Sequence, residues 1–93
     1  MKLFDPSQYP ELRQLFPELT AVQFETSFLL ALGLSQKEIA VIRAVSYKNV
    51  KQVINDSRAK FEPQSLTGMI TVFHVRLVLF ALYRRKVPYH KWQ

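Results

Sequence analysis

Cysteine is missing from this 93-residue chain, so neither a disulfide framework nor a thiolate metal site holds it together, and an intracellular setting is expected. Histidine is nearly as scarce. His74 and His90 stand sixteen residues apart with no acidic cluster beside them, a spacing that suits no metal centre. With only two glycines there is no glycine-rich phosphate loop, and no serine, histidine and acid fall into a catalytic grouping. No cofactor, metal or small-molecule ligand is expected, and the chain is read as a non-enzyme. The opening MKLFDPSQYPEL lacks the apolar core of a secretory signal, so export is not expected. Residues 66–83 are strongly apolar, but Gly68, His74 and Arg76 interrupt them, which argues against a membrane span.

Apolar residues make up 48% of the chain, enough for an ordered core and too many for a disordered tail. The length suits one domain, which at this size buries only ~60 to 65% of its unfolded surface and gains from a partner. Thirteen basic residues outnumber seven acidic ones, for a net charge of +6. The surplus lies in two places. Residues 46–60 carry Lys48, Lys51, Arg58 and Lys60 against Asp56, and the tail adds Arg84, Arg85, Lys86 and Lys91. Clustered positive charge suits phosphate, acidic protein or anionic lipid, and composition does not choose among them.

Apolar spacings of three and four recur, and no strand-like alternation persists, so the chain is expected to be all-α. A short helix is expected over residues 7–16, between Pro6 and Pro17, as part of an N-terminal extension over residues 1–18. Thr20 and Gln23 form a capping-box pattern for a second helix that stops before Gly33. Ser35 and Glu38 repeat the pattern for a third, ending near Arg43 with Ile39, Ala40 and Ile42 inward. Ser46 is the N-cap of a fourth, with Val50, Val53, Ile54 and Phe61 on its apolar side and Pro63 as its stop. Lys48, Lys51, Gln52, Asn55 and Arg58 share the other side, a strip about 20 Å long. A long last helix is expected from Ser65 to about Arg85, within a C-terminal region over residues 62–93. It carries two apolar stripes, Leu66, Ile70, Phe73, Leu77 and Phe80 on one, Val72, Val75, Leu79 and Leu82 on the other. One small core cannot cover both.

Two short helices joined by a tight turn, the second basic and facing solvent, make the layout of a helix-turn-helix. A major groove about 12 Å wide admits one such helix, with long side chains on base edges and flanking cations on phosphates.

Within residues 19–61, Leu19-Thr20, Glu25, the run Gly33-Leu34-Ser35-Gln36-Lys37-Glu38-Ile39-Ala40, Val45-Ser46, Val50-Lys51 and Lys60-Phe61 resemble the LuxR-type (GerE-like) DNA-binding domain. The resemblance implies a small helix-turn-helix domain of four helices, five with the added N-terminal one, and sequence-specific binding of double-stranded DNA in transcription control in a bacterial cytoplasm. Carried over by position, Lys51, Gln52 and Asn55 fall at base-reading places. Lys37, Ser46, Lys48 and Asn49 fall near phosphate-contacting ones, Tyr47 is counted with them, and Arg58 and Lys60 add backbone attraction. Thr26, Ser27 and Ser57 stand where the family carries apolar residues, and Arg43 where it carries leucine, which implies altered packing. Asn49 replaces a frequent threonine and Val53 a frequent histidine. Phe24 and Phe28 take places usually polar and exposed, so a cover is needed, and Phe4, Tyr9, Leu12 and Phe16 of the N-terminal extension are its natural source.

The final helix joins dimers in the resembled family. A homodimer through Val72, Val75, Arg76, Leu79, Leu82 and Tyr83 is therefore expected, with recognition helices about 34 Å apart. The basic tail, with Tyr89 and Trp92 interleaved, suits added phosphate contacts or a solubilising end. An alternative is a protein-interaction module that pairs with another regulator through the last helix and Phe24/Phe28 and binds little DNA of its own.

Overall fold

The computed structural model describes residues 8–62 and 64–90, with residues 85–90 described as backbone alone. Five helices follow in order: α1 (Pro10–Gln14), α2 (Ala21–Ala31), α3 (Gln36–Arg43), α4 (Tyr47–Arg58) and α5 (Leu66–His90). The described chain is all-helical, as the periodicity implies. Phe4, Pro63 and Trp92, each given a role above, lie outside the described residues.

Local chemistry sets the helix ends. The Thr20 hydroxyl accepts the Gln23 backbone N–H at 3.2 Å while the Gln23 side chain accepts the Thr20 N–H at 3.0 Å. Ser35 and Glu38 repeat this at 3.1 and 2.8 Å. The Ser35 backbone N–H foremost, and after it the Ser35 side chain, hold the Glu38 carboxyl below its ordinary range. Gly33 turns the chain out of α2 with φ +101°, a region that penalises any Cβ. At the end of α3 that left-handed duty falls to Ala44, at φ 57°, ψ 45°, where Val45 N–H reaches back to the Ala40 carbonyl at 3.0 Å. A non-glycine residue there costs roughly 1 kcal/mol.

Four helix ends differ from expectation, and one is that of α4, which stops at Arg58 with Ala59 as its C-cap, short of Pro63, so that Phe61 lies outside it. α1 starts at Pro10, not residue 7, because a proline ring suits the first helical turn and lacks the N–H needed further in. Its end tightens through Leu15 N–H to Leu12 O and Phe16 N–H to Arg13 O bonds, so Leu15 and Phe16 fall outside it. α5 continues to His90, about one turn past its expected stop.

The core lies where α2, α4 and α5 meet under residues 15–19. Phe16, Phe24 and Phe73 are buried, and the Phe16 and Phe73 rings stack with centroids 3.9 Å apart. Phe28 meets Phe24 edge to face at 5.4 Å. The unusual aromatic pair of α2 is thus covered by Phe16 from the N-terminal segment, with Leu12 packed beside it and Tyr9 exposed. From α5 the buried residues are Met69 and Phe73, while Leu66, Val72 and Leu77 are half-buried against the cluster. Met69 belongs to neither expected stripe.

Thr26, Ser27 and Ser57 are wholly buried, so the polar departures are packed as core and not turned outward. Ser57 donates its hydroxyl to the Val53 carbonyl one turn back at 2.7 Å. The hydroxyls of Thr26 and Ser27 are out of solvent and have no hydrogen-bond partner among the described residues.

Candidate nucleic-acid interface

The turn between α3 and α4 is residues 44–46, the length a helix-turn-helix requires. Ser46 caps α4 by accepting the Asn49 backbone N–H at 3.0 Å, which fixes the first turn and with it the direction of Tyr47 and Lys48. Val50, Ile54 and Ser57 anchor α4 in the core. Because successive residues turn by 100°, that anchoring presents Lys51, Asn55, Lys48 and Gln52 to solvent within an arc of about 100°. All four are exposed, as are Tyr47 and Asn49 at the helix start.

Two of these side chains are already oriented. The Lys51 ammonium lies 5.7 Å from the Tyr47 ring centroid, held along the helix by cation–π attraction. Gln52 donates its amide to Asp56 at 2.9 Å, so its carboxamide must leave Asp56 before both its ends can meet a base. Lys37, exposed in the first turn of α3, and half-buried Arg58, in the last turn of α4, extend the cationic surface. Lys60 is directed elsewhere, its ammonium donating to the Glu18 carbonyl at 3.2 Å and the Gln23 side chain at 3.4 Å beside the start of α2. Of the ten residues singled out, Lys60 is the one that the fold ties to the N-terminal segment.

Along one edge of this face runs a cleft of about 240 Å³. Lys51, Ile54, Asn55 and Arg58 form its α4 wall, and Gln36 and Leu66, the first residues of α3 and α5, close it opposite. Gln36 is expected only as part of the motif run and Leu66 only as part of an apolar stripe, neither as a site residue. The signal that bears on the cleft is their place directly after the caps Ser35 and Ser65.

The outer face of α5 is apolar and uncovered. Val75, Val78, Leu79, Leu82 and Tyr83 are each at least half exposed, and the first, third and fourth follow a spacing of four and three with half-buried Val72 before them. Arg76, expected among the interface residues, turns inward. It donates to the Glu18 carboxylate through both terminal nitrogens, at 2.9 and 2.7 Å, and to the Leu15 carbonyl at 2.7 Å. His74 sits on the flank, within 2.9 Å of the Ala31 carbonyl. No family model, curated protein or solved structure matches the chain.

Proposed function

We propose that this chain is a transcriptional regulator that binds duplex DNA through α4 in the major groove and works as a homodimer joined along α5. The observation that carries the reading is the outward strip of Lys48, Lys51, Gln52 and Asn55 on a capped helix, next to a three-residue turn. Amide and ammonium groups on such a helix suit adenine and guanine edges, and the cations around it suit phosphates. The motif residues shared with the LuxR-type domain support the same reading.

Dimerisation answers a separate problem. Five large apolar side chains on one helical face are more than a small monomer ordinarily leaves in water. A second copy offers the same seam and sets two recognition helices about one DNA turn apart. Leu66–Arg84 is also long and apolar enough to cross a membrane. Against that, its Met69 and Phe73 are core residues and its Arg76 is held by Glu18, so these three side chains are committed to packing within the chain.

Selection of bound sites from random duplexes tests the reading directly. The expected product is a two-fold symmetric sequence with half-sites about 10 base pairs apart. Recovery of no enriched sequence, or of one that Lys51→Ala binds as well as the native chain, overturns it.

The exposed seam also favours a second reading, a module that pairs with a different regulator. Phe24 and Phe28 drop out of that reading because both are buried. Sedimentation with and without duplex separates the two: a stable assembly that never shifts on DNA at low salt favours the module.

A further inference from the structure

The cleft beside α4 has a composition of its own. Of its six lining residues, Lys51 and Arg58 are cationic, Gln36 and Asn55 carry amides, Ile54 and Leu66 are apolar, and none is acidic. Asp56, the acid nearest in sequence, is engaged by Gln52. The Gln36 side-chain oxygen is out of solvent with no hydrogen-bond partner among the described residues. A half-turn of that amide presents N–H donors at the same place. Lys51 and Arg58 stand two turns apart on one ridge of α4 and both line the cleft, so an oxyanion seated between them meets a cation on each side once the Lys51 ammonium swings from the Tyr47 ring toward Arg58.

We propose that this cleft is a phosphate socket, which holds a phosphate group between Lys51 and Arg58 with the amides of Gln36 and Asn55 completing its hydrogen bonds. The chemistry is shared by two sources: a phosphodiester of bound duplex, or a free phosphomonoester that occupies Lys51 and Asn55 and so competes with DNA. The socket stands on the cleft's own residues and does not need the groove reading of α4.

The test uses the isotope-labelled full chain, titrated by NMR with inorganic phosphate in one arm and a short duplex in the other, at constant ionic strength set with chloride. In the phosphate arm, saturable shifts are expected at the Gln36 and Asn55 side-chain amides and the Leu66 backbone amide. Arg58→Gln weakens binding about tenfold. Asn55→Asp, an exposed change that puts a carboxylate at the mouth without disturbing the core, abolishes it. Arg84→Gln, which removes the same charge from the far part of α5, leaves it unchanged.

If phosphate does not saturate but duplex moves the same signals, and Arg58→Gln lowers the slope of log affinity against log salt by about 1, the source is the DNA backbone. Either result upholds the socket. It is overturned if neither ligand moves the Gln36 amide, if chloride alone reproduces the shifts, or if Arg84→Gln weakens phosphate as much as Arg58→Gln does. Phosphate binding without duplex binding sinks the DNA reading and leaves the socket standing. Duplex binding does the reverse when neither the duplex nor phosphate moves the Gln36 amide.

Discussion

Arg76 and Glu18 form a two-pronged ion pair, 2.9 and 2.7 Å across its two contacts, that ties α5 to the segment leading into α2. The Arg76 guanidinium also lies over the Phe16 and Phe61 rings, at 5.2 and 5.8 Å, so the pair covers one edge of the aromatic core.

This pair makes stability depend on acid. The Arg76 hydrogen bond holds the Glu18 carboxyl below its ordinary range, against the opposing effect of burial. A carboxyl lowered in the folded state adds stability that is fully present above the unfolded glutamate value of about 4.3 and fades as pH falls through the folded one. With the two side chains 33% and 31% exposed, screening limits the contribution to about 1 kcal/mol. Urea unfolding at neutral pH and at successively lower pH should therefore show the native chain losing its advantage over Glu18→Gln below the ordinary glutamate range. A constant difference across that range rules the linkage out. Arg76→Ala costs more than Glu18→Gln, since it also uncovers two rings.

The buried hydroxyls of α2 make a prediction of opposite sign. Thr26 Oγ1 and Ser27 Oγ are fully enclosed without partners among the described residues, so each gives up its hydration with no bond in return. Thr26→Val keeps the shape and removes the hydroxyl. It should stabilise the chain by about 1 kcal/mol, a gain of roughly 4 to 8 °C in Tm. A fall in Tm would show that Thr26 has a polar partner in solution.

Which parts of this structure are legible in the sequence follows from the range of the interactions. The three caps at Thr20, Ser35 and Ser46 are bonds across three residues, so a short pattern specifies each completely. The two sides of α4 follow from a single period, and its anchors Val50 and Ile54 are those the spacing picks out. α5 is different. Both of its stripes are apolar, so periodicity cannot say which faces the core, and Met69 between them turns out to be the buried contact with Phe73. Arg76 is expected either to snorkel or to pair with an acid across an interface, and the acid it meets within the chain, Glu18, lies 58 residues away, a separation no local pattern encodes. The cleft is hidden likewise, since Gln36 and Leu66 meet the α4 ridge only once three helices are packed.

For the DNA reading, the α4 side chains divide by the kind of loss expected. Lys51, exposed on the strip, adds charge as well as contacts, so Lys51→Ala should weaken binding to every duplex and reduce the salt slope by about 1. Asn55→Ala should cost about 1 to 3 kcal/mol at particular base pairs where its amide reads a base edge, and a loss uniform across sequences where it holds a backbone phosphate in the cleft. Gln52→Ala should cost less than Asn55→Ala, because the bond to Asp56 is broken before Gln52 reads a base. Gel-shift titrations against a selected site and a scrambled duplex at several salt concentrations measure all three. An affinity that does not vary with salt contradicts the assignment of this face.

The seam on α5 permits a test in which folding and association separate. Leu79 and Leu82 are 60% and 59% exposed, so a charge at either position meets water in the monomer and leaves the core intact. Leu79→Glu should therefore keep the thermal stability of an isolated chain but abolish the dimer, because two carboxylates would face each other or an apolar seam across a self-complementary interface. Analytical ultracentrifugation then gives a monomer for the variant and a dimer for the native chain. DNA affinity falls as well, since one α4 strip holds half a site where two linked strips gain the second contact at high effective concentration. Phe73→Glu makes the contrast: it buries a charge against Phe16 and should unfold the chain outright. If Leu79→Glu leaves the sedimentation coefficient of a native dimer untouched, α5 is not the surface that joins the two copies.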